Sequence, residues 1–394
     1  MQIQPIEKRE RIVQLDILRG AALLGIFLVN MISFHSPYLY YNPYEWWDAA
    51  KDYQNFQWID VFVQASFYPL FAMMFGYGAA MQRERAIEKG LTYWRIGIRR
   101  FSFLLLIGML HAFLIWSGDI LINYAVFGLV LLLFLPLSGR MLLILGSILL
   151  FLPNLFLSIM MLLMAQADPT SVSVWTDISG ITNSISAYGS GTFQEITVQR
   201  FHDWYAVNGP ENVFYLFISI FPLLLIGAGA QKVRLFRLWA LKPKMAMQVA
   251  VAFVLTGVII KSFPILFEPN LAYLFVQDSI GGPLLAIGYA AFISWAAGFS
   301  KIGKTLYPLA SAGRMSLTNY LLQSIIGTLI FYHYGMGLYG QITLTTGIWL
   351  VFAIFALQVI LSELWLKRFN RGPVEYIWRL ATYGRQKNKT ERGS

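Results

Sequence analysis

Residues 12–35 read IVQLDILRGAALLGIFLVNMISFH. The stretch is apolar for long enough to cross a bilayer, which takes about 20 residues as a helix. Yet it carries Asp16, Arg19 and Asn30 and runs into His35. A charged side chain in hydrocarbon costs a few kcal/mol at least, so such residues need a reason to be there. Asp16 and Arg19 are three apart and share a helix face. One reading is a structural ion pair. The other is that Arg19 meets an anionic group entering from the cytosol. Gly20 and Gly25 leave room for a neighbouring helix or a ligand. Asn30 lies about 16 Å further along the axis, near the opposite end of the span.

The rest of the chain is of the same kind. It has 394 residues, 57% hydrophobic, 16% aromatic and 13% charged. Soluble domains carry about 25% charged residues, so this is an all-α polytopic membrane protein. Ten spans are predicted, at 12–35, 59–82, 98–117, 118–137, 141–165, 212–231, 245–263, 279–299, 315–335 and 343–366. The net charge of +10 follows from topology. With both termini in the cytoplasm, all of the 30 basic residues except Arg19, Lys51, Arg200 and Lys261 fall in inner segments. That is the positive-inside distribution, and nucleic acid is not needed to explain it. There is no cysteine, hence no disulfide, thiolate nucleophile or zinc–sulfur site. The first span is too long for a cleavable signal and is read as retained.

The spans divide into an N-terminal half (1–165), an outer loop (166–211), a C-terminal half (212–380) and a disordered tail (381–394). Outer residues 36–58 are dense in Tyr and Trp, which settle at headgroup level. Within the long loop, TFQEITVQRFHDWYAVN (192–208) suits an interfacial helix. After the last span, NRGPVEYIWRLATYG (370–384) suits a short amphipathic helix, with Pro373 in its first turn and Glu375 at its positive end.

Polar groups inside spans are the candidate chemistry. In IDVFVQASFYPLFAMMFGYGAAM (59–81), Asp60 lies at the outer mouth and Pro69 is placed to kink the helix. Gly76 and Gly78 read mainly as packing positions. His111 lies deep in the third span, eleven residues past Arg100. Asp119 follows at the hairpin turn, as partner of the histidine or as cap of the next helix. A histidine held by a carboxylate acts as a base near neutral pH. Ser316, Thr318, Asn319, Gln323 and Ser324 make the ninth span unusually polar. Interhelical hydrogen bonds and a cavity lining explain that equally well. All four histidines fall toward the outer side, and the basic residues line the inner side. No Glu-x-x-His or His-x-x-x-His pair signals a metal, and no GxxxxGK[ST] signals a nucleotide-driven pump.

LDILRGAALLGIFLVN, LFAMMFGYG, RRFSFLLLIGMLHAFLIWSGDILINYAVFGL, GRMSLTNYLLQSII, YGMGLYG and RGPVEYIWRL resemble the YeiB-like family of bacterial membrane proteins, over nearly the whole chain. That resemblance implies a multi-pass protein of the bacterial cytoplasmic membrane. The LDxxRG start, the asparagine near the outer end of the first helix and the glycine-rich span that follows are more distantly similar to the heparan-alpha-glucosaminide N-acetyltransferase group. That likeness implies transfer of an acetyl group from cytosolic acetyl-CoA to an acceptor across the membrane. Asn30 matches the group's asparagine. The group's histidine, about eleven residues later, is Tyr41 here, while His35 lies five residues on.

The expected function is a transmembrane acyltransferase. Arg19, beside Asp16, and Arg99, Arg100 or Arg314 would take the phosphates of acyl-CoA, near polar Asn319 and Gln323. His111, or else His35, would be the base, oriented by Asp119 or Asp60, with Asn30 at the developing oxyanion. Expected partners are membrane lipids and a small-molecule, glycan or lipid acceptor. No metal and no nucleic acid is called for, and a homodimer is left open. The alternatives are a transporter or exporter of a small or amphipathic molecule, for which Pro69, Pro153 and Pro222 are helix-break cues, and a non-catalytic lipid-binding protein.

Overall fold

Hydrocarbon offers the backbone no hydrogen bonds, so a spanning segment must pair its own amides along a helix or in a closed barrel. The apolar runs take the first solution. The computed structural model describes residues 13–384, and among them there is no strand. The helices in chain order are α1 (Val13–His35), α2 (Ala50–Phe62), α3 (Phe67–Glu88), α4 (Tyr93–Leu114), α5 (Leu121–Phe134) and α6 (Gly139–Ala167). Next come α7 (Ile178–Ser190), α8 (Phe193–Asn208), α9 (Val213–Lys232), α10 (Leu235–Leu241), α11 (Pro243–Lys261) and α12 (Phe263–Leu266). The last six are α13 (Leu271–Val276), α14 (Gly282–Ala296), α15 (Ser300–Arg314), α16 (Ser316–Phe331), α17 (Leu344–Arg368) and α18 (Pro373–Tyr383).

Among the described residues, eight helical stretches are long and apolar enough to cross a membrane: Val13–His35, Ala50–Glu88, Tyr93–Leu114, Gly139–Ala167, Phe193–Lys232, Pro243–Lys261, Leu271–Ala296 and Leu344–Arg368. The other two predicted spans, realised as α5 and α16, are apolar but have only 14 and 16 residues. At 1.5 Å per residue they reach about 21 and 24 Å, short of a core about 30 Å thick. Non-helical chain at membrane depth survives only where protein buries it or a cavity hydrates it. Short helices therefore mark where such chain, and a cavity, lie.

The opening span sits in the middle of the bundle. Within its apolar window 67% of α1 is buried, against 17% for peripheral α6. It packs on α3, α15, α16 and α17. Its small residues serve those contacts: a Cβ on Gly20 would strike the Leu309 carbonyl of α15, and one on Gly25 the Phe67 ring. In the same way Gly76 faces the Leu224 carbonyl of α9, and Gly227 that of Met73. Gly76 is thus a packing position, as read. Gly78 is not, since a Cβ there would meet only the guanidinium ends of Arg19 and Arg100.

The second predicted span starts differently from the reading. α2 and α3 are separate helices, joined by a break at 63–66 where Ala65 has φ +53°. Pro69 does not kink a helix, since it lies in the first turn of α3, where its missing N–H costs nothing. Pro153 and Pro222 lie inside continuous α6 and α9. The interfacial helix of the outer loop forms as α8, closed by a capping box between Thr192 and Glu195. The C-terminal helix forms as α18, but Glu375 does not serve its own dipole. Its carboxylate accepts the Leu317 and Thr318 amides at 2.8 and 3.1 Å and the Thr318 hydroxyl at 2.5 Å, capping α16 instead. Burial pushes the Glu375 carboxyl above its usual range, against these hydrogen bonds. The tail predicted to begin at 381 starts later, since residues 381–383 close α18; its remainder, 385–394, and basic Lys8, Arg9 and Arg11 lie outside the described residues.

Candidate functional site

The third predicted span and its hairpin assemble a histidine–carboxylate dyad. His111 lies one turn before the end of α4, and Asp119 lies two residues before α5 begins. Gly108 lets the two meet: a Cβ there would approach the Ile122 amide to 2.8 Å. His111 Nδ1 is 2.7 Å from Asp119 Oδ1, with both side chains fully buried. Asp119 Oδ2 accepts the Ile122 N–H at 2.8 Å. Both readings of Asp119, partner and cap, therefore describe one side chain. An ionised carboxylate only accepts, so it assigns the proton to Nδ1 and leaves a lone pair on Nε2. Nε2 is buried and has no partner. The rings of Tyr320 and Trp116 flank the imidazole at 5.2 and 6.4 Å.

Beside the dyad is a cavity of about 420 Å³, adjoined by one of about 170 Å³. Three interruptions of helix build their walls. Gln64 and Ala65 come from the break after α2, Trp116 to Ile120 from the α4–α5 turn, and Asp278 from the π-helical turn Gln277–Gly281 that joins α13 to α14. Asn30 lines both cavities and Tyr320 the smaller one. Asn30 makes no side-chain hydrogen bond among the described residues. His111 itself stands behind the wall that Asp119 and Tyr320 form.

The wall of the larger cavity is acidic. It holds Asp119, Asp203 and Asp278, and no Lys, Arg or His. Each acid is tied down. Asp203 accepts from Tyr40, Tyr188 and Gln199 at 2.5, 2.6 and 2.7 Å. Burial, then the Asp203 charge, pushes the Tyr40 hydroxyl up and keeps it a donor. Asp278 pairs with the fully buried Lys261 at 3.1 Å. Asp60 accepts from Tyr44 and Gln277 at 2.7 and 2.8 Å. Asp60 is thus fixed elsewhere, and Asp119 is the acid that orients His111. His35 is buried against Phe331 and Gly347 with both ring nitrogens unpartnered, and it lines neither cavity. Tyr41 stacks on Trp46 at 4.1 Å and shares a hydrogen bond with Ser36, so the position is structural.

The predicted anion-binding residues separate. Arg19 contacts Asp16 at 3.4 Å. Arg99 is exposed on α4. Arg314 donates to the Asn370 carbonyl at 3.3 Å, next to Gly313, which packs on the turn of α1 holding Asp16 and Gly20. Asn319 and Gln323 spend their donors between helices: Asn319 on Ala312 and Ser362, Gln323 on Gln358. Of the set, Arg19 and Arg100 alone converge, over Gly78. No group of three His, Cys, Asp or Glu that could hold a metal ion occurs among the described residues.

Gln64, Tyr68, Asp203 and Asp278 line the cavity without having been singled out in the sequence. Asp278 had a signal, an acid at the edge of a predicted span, and so did Lys261, one of two outer lysines. Gln64 and Asp203 had none.

Residues 224–385 match the family described as protein of unknown function (DUF418). The chain is 35% identical over 97% of its length to uncharacterized protein YxaH of Bacillus subtilis (strain 168), covering 96% of that protein. It is 29% identical over 95% of its length to uncharacterized protein YeiB of Escherichia coli (strain K12), covering 96% of that protein. With an all-helical membrane bundle and 35% identity to YxaH over nearly its whole length, the chain belongs to the YeiB-like family of membrane proteins.

Proposed function

We propose that the protein is a transmembrane acyltransferase of the bacterial cytoplasmic membrane. It takes an acyl group from cytosolic acyl-CoA and passes it to a hydroxyl or amine of a small-molecule, glycan or lipid acceptor in the outer cavity. One observation carries this reading: a buried imidazole whose Nδ1 is held by Asp119 and whose Nε2 has no partner, beside a cavity that Asn30 enters.

In this mechanism the acceptor heteroatom attacks the thioester carbonyl. Its proton passes to His111 Nε2 through a bridging water, because Tyr320 and Asp119 stand between the ring and the cavity. Asp119 stabilises the imidazolium. The Asn30 amide donates to the tetrahedral oxyanion. Collapse breaks the C–S bond, and the proton returns from Nε2 to the departing thiolate. The products are acylated acceptor and coenzyme A. The test is transfer of label from acetyl-CoA and from long-chain acyl-CoAs to a membrane extract by the purified protein. Absence of transfer with every chain length would sink the proposal.

A second reading, transport of a small or amphipathic molecule, draws on the π-helical turn at Asp278 with its buried Lys261 partner, since helix irregularities and intramembrane ion pairs accompany ion and substrate paths. It predicts flux into proteoliposomes without acyl-CoA.

A further inference from the structure

Arg100 is the predicted anion-binding residue whose guanidinium is most deeply buried. Its residue is 6% exposed, and its Nε and Nη1 are buried without hydrogen-bond partners. No acidic side chain pairs with it among the described residues. Three aromatic rings hold the guanidinium instead: Trp378 of α18 at 4.8 Å, Phe75 at 5.2 Å and Phe101 at 5.7 Å. Cation–π contacts soften the burial of a charge, but they leave its in-plane N–H donors unused. An orphaned donor that could bond to a charged acceptor is a costly thing to bury.

The remaining nitrogen of the guanidinium, Nη2, borders an identifiable space. A Cβ built on Gly78 of α3 would lie 3.6 Å from Arg19 Nη2 and 3.9 Å from Arg100 Nη2, and would meet nothing else within 4 Å. Two guanidinium ends from α1 and α4 therefore converge over a bare stretch of α3. Tyr93, seven residues before Arg100 on the same face of α4, also keeps a buried hydroxyl without a partner. The indole N–H of Trp378 donates to the Arg100 carbonyl at 2.9 Å and fastens α18 over this end of α4.

We propose that Arg100 and Arg19, with Gly78 as floor and α18 as roof, form a binding site for a phosphate group at the inner end of the bundle. Phosphate fits better than a lone carboxylate: it offers more acceptor oxygens and up to two charges, matching two forked donors. The aromatic walls suit whatever ring or chain the phosphate carries. The group could belong to a soluble nucleotide such as coenzyme A or to a phospholipid of the inner leaflet, because the recognition chemistry is shared. The site is independent of acyl transfer: it stands if binding occurs without turnover, and turnover without binding here would refute it alone.

The experiment uses the full-length protein in a zwitterionic, phosphate-free detergent. Wild type, Arg100→Gln and Gly78→Val are titrated with coenzyme A, and separately with phosphatidylglycerol in mixed micelles, at constant ionic strength. The expected result is that one probe binds wild type and that Arg100→Gln weakens it at least about tenfold, the loss of one charge-assisted pair. Gly78→Val fills the floor and has room for its Cβ, so it should fold and weaken the same probe as much. If Arg100→Gln does not fold, Gly78→Val decides. Response to coenzyme A identifies a soluble source, and response to the lipid identifies a headgroup. Neither probe binding wild type, or both variants binding like wild type, overturns the proposal.

Discussion

The two ends of this bundle treat buried charge in opposite ways. At the outer end every acid is answered: Asp119 by His111, Asp203 by two tyrosines and a glutamine, Asp278 by Lys261, Asp60 by Tyr44 and Gln277. At the inner end Arg100 is answered by aromatic faces, and its donors wait. The backbone differs in the same sense. Helix breaks at 63–66, 115–120 and 277–281 deliver the outer polar groups, whereas Arg19, Gly78 and Arg100 sit on unbroken helices. A broken helix frees amides that cap carboxylates, as Ile122 does for Asp119. An intact helix has no free amides, so a guanidinium on it is answered by side chains, as Arg19 is by Asp16, or by aromatic faces, as Arg100 is.

That contrast can be broken in order of effect. His111→Ala should lower acyl transfer by about 10² to 10⁴-fold, the usual worth of a general base, while leaving binding at the inner end unchanged. Loss of both together would mean the ends are not separate. Lys261→Met should destabilise by about 3 kcal/mol, because it strands Asp278 and Asp60 without their cation. Adding Asp278→Asn should recover part of that, as read from denaturant melts. Arg100→Met, by contrast, removes a charge that nothing pairs. In protein free of ligand it should change stability by no more than about 1 kcal/mol, and an increase is the expected direction. A loss as large as that of Lys261→Met would show that Arg100 is structural.

Glu375→Ala should loosen α18 by about 1 kcal/mol, the value of a helix cap. The pH dependence has a definite sign. Burial raises the Glu375 carboxyl above its free value of 4.5, so the folded state holds its proton more tightly than the unfolded chain. This group's contribution is full below pH 4.5 and is lost as pH rises through the folded pKa. Hydrogen exchange of α18 should therefore speed up with rising pH more in wild type than in Glu375→Gln; identical profiles would contradict the assignment. The smallest effect, about 1 kcal/mol or less, is expected for Thr192→Ala at the cap of α8, remote from both ends' chemistry.

Much of this is legible in the sequence. Apolar run length marks the spans, and Lys and Arg placement marks the inner end. The His111–Asp119 pairing was readable because eight residues and a tight turn separate the two in the chain. The cavity was not readable in the same way. Asp203, Asp278 and Asn30 come from three distant segments, and no local pattern announces a π-helical turn or the break at Ala65. Glu375 was placed by local rule at its own helix start, and a tertiary contact with α16 overruled that rule. Asn319 and Gln323 looked equally suited to a ligand and to a neighbour helix; the neighbour helix has them, with only Gln323 Oε1 left over.

The opening span shows where the division falls. Composition and periodicity alone determined that 12–35 is a membrane helix with its charged pair at the inner end and Asn30 toward the outer one, because hydrocarbon imposes helix and length on any apolar run. Which of those groups meets a partner was decided by tertiary structure. The close approach of α15 at Gly20, the bare surface of α3 at Gly78 beside Arg19, and the broken helices around Asn30 depend on contacts between segments far apart in the chain. A one-dimensional pattern records which face of a helix is polar, and only packing records what that face looks at.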